Sequence, residues 1–294
     1  MASLNKRMKS ARYVSNFESI FKCPICSSSM KVSELTSLIC SRNHTFDFTK
    51  QGYINLTAHP VKTKYSKELF EARRKVIVED GFFKPLSQTI TDTINKHTIG
   101  KETITLIDMG CGEGSHLDQI SDALRSDHLK RVMGVGIDLS KEGVLVAAKH
   151  YSEKIWAVAD LANPPFKDKQ FDVILNILSP SNYEEFERLS KADCLVVKVV
   201  PQSGYLKEVR EVIFDEPEKQ SYSNAETVER FYRNFQLVER SRVCYTVELD
   251  NPAIQTLVHM TPLSWATSEE QMNTFLQMES AKITVDLEIL VGKK

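Results

Sequence analysis

Leu106-Ile107-Asp108-Met109-Gly110-Cys111-Gly112-Glu113-Gly114 restricts the fold more than any other stretch of this 294-residue chain. A β-prone run, Glu102 to Asp108, feeds three glycines at alternate positions. A polar segment of helical character, Ser115 to Arg125, follows. A strand that ends in Gly-x-Gly-x-Gly and turns into a helix brings bare backbone amides to a helix N-terminus. With no Cβ in the way, a polar or anionic group can approach closely. On its own such a turn is only glycine punctuation, so the residues that follow decide its meaning.

They repeat the pattern. Arg131 to Ile137 is a second β run, ending in Asp138, 24 residues past Gly114. Doubly wound α/β folds place a carboxylate for ribose hydroxyls at about that distance. Ile155 to Ala159 is a third run, closed by Asp160-Leu161 and Pro164-Pro165-Phe166, and Phe171 to Leu178 is a fourth. Strand–helix alternation then continues. A short helix over Tyr183–Ser190 leads to a fifth strand over Cys194–Val200, and helices are expected near Tyr205–Ile213 and Ala225–Phe235. A long strand over Leu237–Leu249, helices over Asn251–Met260 and Ser268–Ser280, and a last strand over Ile283–Val291 complete the pattern. Parallel strands closing with an antiparallel pair suit a seven-stranded sheet.

A second constellation lies near the N-terminus. Cys23-Pro-Ile-Cys26 is followed, thirteen residues later, by Cys40-Ser-Arg-Asn-His44. Two knuckles facing each other offer three sulfurs and one imidazole, a closed tetrahedral set for Zn²⁺. A full set leaves no position for a reactive water, so the metal is structural. About forty residues hold too little core to fold unaided, and metal binding makes up the deficit. Lys22, Arg42 and Lys50 surround the knuckles, interleaved with Phe46, Phe48 and Tyr53. Such a mixture suits RNA phosphates and unstacked bases, although the aromatics are equally the core of the small domain. Arg73 and Arg74, on a helix expected over Ser66–Glu79, are further candidates for RNA contact. A second helix opens at Pro85 and runs to about His97.

Charge supports a polyanionic partner. The net charge is −1, but residues 1–78 carry 14 Lys/Arg against 5 Asp/Glu, a net of +9, and the remainder carries 24 against 34, a net of −10. A basic module on an acidic domain is an electrostatic footprint for nucleic acid. The N-terminus lacks the apolar segment of a secretory signal, and no run approaches a membrane span, so a cytoplasmic protein is expected. Disulfides are then not expected, and Cys111, Cys194 and Cys244 read as small hydrophobes. The expected domains are a flexible basic tail (1–16), a zinc-binding RNA-recognition domain (17–57), a helical linker (58–98) and a catalytic domain (99–294).

Asp108-Met-Gly-Cys-Gly-Glu-Gly114, Gly136-Ile-Asp-Leu-Ser140, Asp160-Leu161 and Phe171-Asp-Val-Ile174 resemble the successive motifs of class I S-adenosylmethionine-dependent methyltransferases. With the zinc knuckles, Lys50-x-Gly-Tyr-x-Asn-Leu56, Ala72-Arg-Arg74 and His259-Met-Thr-Pro262, the chain from Phe21 onward resembles the RlmA family of large-subunit rRNA guanine-N1 methyltransferases. Asn176-Ile-Leu-Ser-Pro-Ser-Asn-Tyr183 is more similar to its type II branch, associated with Gram-positive bacteria and macrolide response.

The resemblance implies an α/β Rossmann-like methyltransferase sheet with an N-terminal zinc-ribbon-like domain. It implies S-adenosylmethionine and structural zinc as cofactors, a hairpin of 23S rRNA as substrate, and a homodimer. The cofactor would lie over Gly110, Gly112 and Gly114, whose amides meet its carboxylate, with Asp108 in the same motif. Asp138 would take the ribose, and Asp160 with Leu161 the adenine edge. Guanine N1 carries a proton at neutral pH, so methylation requires its loss. Near the fourth strand's end, Glu184 is the candidate base and Asn176 the candidate base-binding amide. Two other readings fit the residues: a methyltransferase on another RNA or a small molecule, and a non-catalytic RNA-binding or ribosome-assembly protein.

Overall fold

The computed structural model describes residues 4–59, 61, 63–128, 130–214, 222–261, 273 and 275–294. Three short strands, β1 (Met30–Ser33), β2 (Ser37–Cys40) and β3 (Thr45–Asp47), make a small antiparallel sheet. The large sheet is built from β4 (Ile54–Asn55), β5 (Thr103–Met109), β6 (Arg131–Asp138), β7 (Ile155–Val158), β8 (Phe171–Ile177), β9 (Ser190–Pro201), β10 (Gln236–Asp250) and β11 (Ser280–Lys293). Its order is β10-β11-β9-β8-β5-β6-β7-β4. Strands β4 to β9 pair in parallel, β11 runs antiparallel to β9, and β10 antiparallel to β11. The expected seven strands are therefore present with an eighth at the edge. That strand comes from the small domain: Ile54 pairs with Ala157 and Asn55 with Val158. A two-residue strand carries no readable alternation, which is why the sequence hid it.

Every residue of β7 and β8 is buried, as central parallel strands require when both faces are covered. One face is covered by α3 (Lys84–His97), α4 (Ser115–His128), α5 (Lys141–His150) and α9 (Asn251–Met260), through residues such as Ile90, Leu117, Val144 and Ile254. The linker expected at 58–98 is thus part of this layer. Its first helix, α2 (Lys67–Arg74), is capped by Ser66, packs against α5 and α9, and continues into a π turn over Lys75–Glu79.

The other face is covered by α1 (Lys6–Ser15), the zinc module, α6 (Tyr183–Leu189) and α8 (Ala225–Asn234). Here the expectation of a mobile tail over residues 1–16 is not met from Asn5 onward. Asn5 caps α1 by accepting from the Met8 amide, and Ala11 and Val14 are fully buried. Four basic residues obscure an apolar face only two residues wide. The connection from β7 to β8, residues 159–170, has no helix. The zinc module fills that place. The Lys22 amide donates to the Pro165 carbonyl, the Lys167 amide to the Ile20 carbonyl, and the Phe21 and Phe166 rings lie 5.3 Å apart. One apolar cluster runs from Met30, Leu38 and Phe48 to Ile107, Val135 and Ile174 of the large sheet. Beyond β9, α7 (Lys207–Ile213) packs on β11. Of the helix expected over Ser268–Ser280, residues 268–272 and 274 lie outside the described residues, as does Pro262 of the His259–Pro262 motif; Asn273, Phe275 and Leu276 are helical, and Ser280 opens β11.

Candidate functional site

The four metal candidates converge. The Sγ atoms of Cys23, Cys26 and Cys40 and a ring nitrogen of His44 lie within 4.8 Å of one another. Each knuckle closes through a left-handed residue, Ser27 at φ +60° and Asn43 at φ +64°. His44 Nδ1 is 3.5 Å from Cys23 Sγ and 3.4 Å from Cys40 Sγ, and Cys26 Sγ is 3.7 Å from Cys40 Sγ. A tetrahedral zinc ion with bonds of about 2.3 Å to sulfur and about 2.1 Å to nitrogen requires edges of about 3.8 and about 3.6 Å. The donor set therefore fits zinc in number, type and spacing. Among the aromatics, Phe48 is buried in the ribbon's cluster, Phe46 packs against that cluster, and Tyr53 is buried in the cluster on the other face of the large sheet, so they hold the fold rather than stack on bases. Arg42 and Lys50 are exposed, and Lys22 is half-buried beside the β7–β8 connection.

The second site lies at the carboxyl ends of the parallel strands. Gly110, Gly112 and Gly114 all have positive φ. A Cβ on Gly110 would sit 1.9 Å from Ser179 Oγ, and one on Gly114 would strike the Trp156 ring at 2.5 Å. The first glycine admits the loop after β8, and the third admits the strand beside α4. Leu161 reaches the same place, 3.6 Å from the Gly110 position. Asp138 Oδ2 accepts from the Gly112 amide at 2.8 Å and Oδ1 from the Ser140 amide at 2.7 Å. Asp160 is exposed and accepts from the Ala162 amide at 2.9 Å, closing a turn.

One expectation about this loop is not met. The amides of Gly110 and Cys111 donate to the Ile137 carbonyl, and that of Gly114 to the Cys111 carbonyl. With Gly112 bound to Asp138, none of the three glycine amides awaits an external carboxylate. The N-terminus of α4 is also taken. Glu113, buried, accepts from the amide and hydroxyl of Ser115. Burial raises the Glu113 carboxyl to about 7 despite that bond.

Asp108 is buried, and its Oδ1 has no hydrogen-bond partner. Burial above all, then the charges of Asp138 and Glu113, push it to about 8. An orphaned carboxylate oxygen at a glycine loop fits a ligand that brings an ammonium group.

The two catalytic candidates fare differently from expectation. Asn176 is wholly buried and its amide is saturated. Nδ2 donates to the carbonyls of Met109 and Pro180, and Oδ1 accepts from Ser181 Oγ at 2.9 Å and Lys198 Nζ at 2.6 Å. It shapes the loop over Gly110 and has nothing left to offer a base. Glu184 is exposed in the first turn of α6, and no hydrogen bond or ion pair among the described residues orients its carboxylate toward the glycine loop. Lys198 was not foreseen. It is buried, donates also to the Ser179 carbonyl, and is driven down to about 8 by burial and then by Arg230. A lysine inside an apolar strand gives no sign in sequence of which loop it ties down.

The arginines of α2 also move from their expected role. Arg74 is bound to Glu79 at 2.5 Å. Arg73 lies over the Phe70 ring at 5.5 Å, with a terminal nitrogen 3.5 Å from where a Gly112 Cβ would be. Both face the catalytic domain. His116, at the start of α4, is pushed to about 4 by burial and then by Arg73, and is neutral at pH 7.

A sheet of this order, with a glycine loop after its first long parallel strand and an acid at the end of the next, defines a class I S-adenosylmethionine-dependent methyltransferase, here joined to a zinc ribbon. Its cofactors are S-adenosylmethionine and structural zinc. Comparison with known families agrees. Residues 21–67 match the family model described as RlmA, N-terminal, and residues 107–206 a methyltransferase domain. A Bacillus subtilis protein named "Putative 23S rRNA (guanine-N(1)-)-methyltransferase YxjB" is 47% identical over 94% of this chain and 98% of its own length. The 23S rRNA (guanine(748)-N(1))-methyltransferase of Streptomyces fradiae is 27% identical over 85% of this chain and 88% of its own. The chain belongs to the RlmA family of methyltransferases.

Proposed function

We propose that the protein methylates N1 of a guanine in 23S rRNA, in a hairpin loop, with S-adenosylmethionine as donor. The observation that carries this is the 47% identity that runs through ribbon and catalytic domain together. The rigid join between the basic ribbon and the edge of the sheet supports it, because RNA held by one is then fixed relative to the other. A homodimer of the type II branch, working in the cytoplasm where rRNA is made and linked to macrolide response, completes the reading.

S-adenosylmethionine, when bound, supplies an electrophilic methyl group. The residues of this chain position the reactants. Asp138 retains a lone pair on each oxygen and would hold the ribose hydroxyls, and Asp160 with Leu161 would border the adenine. Ser179 and its loop, pinned by Asn176 and Lys198, would form a wall between donor and guanine. Alignment of N1 with the methyl group is then the main catalytic term. A loop guanine reaches the pocket without being flipped out of a duplex. Arg42 and Lys50 hold RNA phosphates.

The test is transfer of a labelled methyl group to undermethylated large-subunit rRNA, followed by mapping of the product nucleotide. A single N1-methylguanine is expected. Labelling of a small molecule but no RNA, or cofactor binding without transfer, would overturn the reading.

A further inference from the structure

We infer that Arg73 is the counter-charge for the carboxylate of the cofactor's aminoacyl end, and so a specificity-determining residue of the methyl-donor site. The inference rests on the methyl-donor reading above and concerns which side chain recognises that end of the ligand.

A carboxylate is ordinarily held in such a fold by the glycine-loop amides and the helix N-terminus after them. Here the amides of Gly110, Cys111, Gly112 and Gly114 all donate within the protein. The start of α4 is occupied by the chain's own carboxylate, Glu113, through Ser115. Three acids, Asp108, Glu113 and Asp138, line the loop, and each is raised by burial first. Such surroundings suit a sulfonium and an ammonium. A second negative group from the ligand needs a cation close by.

Arg73 is that cation. Its charge is felt at Glu113, His116 and Asp138, which places it over the same loop. Its terminal nitrogen is within 3.5 Å of the space above Gly112. Among the described residues it makes no ion pair. Its hydrogen bond among them is a long one, 3.4 Å, from Nη2 to the Met260 carbonyl. The stem is held by Phe70, which is buried against Gly112 and Gly143. A guanidinium fixed in direction and short of partners is prepared for a bidentate carboxylate. Asp108, with its orphaned oxygen, supplies the opposite charge for the ammonium. The pair would read the zwitterion from its two ends.

The test is calorimetric and needs no RNA. The full-length zinc-loaded protein is titrated with S-adenosylhomocysteine, with the α-methyl ester of S-adenosylhomocysteine, and with 5′-methylthioadenosine, which lacks the aminoacyl end. The wild type should prefer the free acid over the ester by tenfold or more. Arg73→Met, which keeps the stem on Phe70, should lose that preference while binding methylthioadenosine within about twofold of wild type. Equal binding of acid and ester by the wild type would overturn the inference whatever the variant does. Equal losses for all three ligands in the variant would make Arg73 a structural residue and overturn it too. If wild type bound none of the three, the methyl-donor reading itself would fail, a result distinct from binding without preference.

Discussion

At the scale of single residues, the most informative group is Asp108. Burial, then Asp138 and Glu113, lift its carboxyl to about 8, which favours the protonated form at pH 7. A ligand ammonium favours the ionised form, so binding S-adenosylhomocysteine should release a proton. Affinity should then rise from pH 6 to 8 and level off above it. Glu113, raised to about 7, adds to the slope, and the Arg73 charge nearby reduces it. Titration calorimetry in two buffers of different ionisation enthalpy measures the release. Asp108→Asn should diminish it strongly, and binding with no proton exchange in the wild type would contradict the assignment. A second residue serves the fold. Asp172, of the Phe171–Ile174 motif, lies at the start of β8, away from the cofactor loop. Burial opposes its charge, but bonds from Lys101, Lys191 and Thr105 prevail and hold it at about 2. Stability from this depressed carboxyl is full above the unfolded value of about 3.9 and is lost as the pH falls toward 2. Asp172→Asn should lower stability at pH 7 by about 2 kcal/mol, less than a fully buried pair because both lysines are partly exposed. That deficit should shrink below pH 3, and a chemical-denaturation series across pH would show it.

At the scale of elements, α1 separates what the sequence showed from what it hid. The β runs, the glycine loop and the Cys/His spacing were legible because each is a local pattern with a local cause. The long-range partners were not. Lys6, Arg7, Lys9 and Arg12 make α1 look like a solvated tail, yet Ala11 and Val14 close the layer beside β7. Arg73 and Arg74 read as RNA contacts because they are exposed on an isolated α2; only the packing of α2 on α5 and α9 turns Arg73 toward the glycine loop. Asn176 read as a binding amide because nothing in the sequence shows that Lys198 and Ser181 consume it. Deleting residues 1–16 tests the placement of α1. Burial of two side chains and the surface beneath them is worth about 3 kcal/mol. At roughly 2–4 °C per kcal/mol for a chain of this size, the melting temperature should fall by about 6–12 °C. A mobile tail would leave it unchanged.

At the scale of the whole molecule, the question is whether the zinc ribbon and the methyltransferase sheet are two bodies or one. The ribbon lends Ile54–Asn55 to the large sheet and takes the place of the β7–β8 crossover helix. Its core is continuous with that sheet from Phe48 to Val135. The metal's contribution is large, on the order of 10 kcal/mol for a structural zinc site, because the ribbon's own core is too small to fold unaided. Loss of zinc should therefore not be confined to residues 21–67. Once the knuckles open, Phe21 leaves Phe166, and one face of β5, β6 and β8 is exposed to water. The zinc-loaded protein should unfold in a single calorimetric transition. Chelation should lower the temperature of that whole transition by more than 10 °C and weaken S-adenosylhomocysteine binding, although no zinc ligand touches the glycine loop. Persistence of the methyltransferase transition at its original temperature after complete removal of zinc, with cofactor affinity intact, would show two independent bodies. The rigid join would then contribute nothing to how RNA bound on the ribbon is presented to the methyl donor.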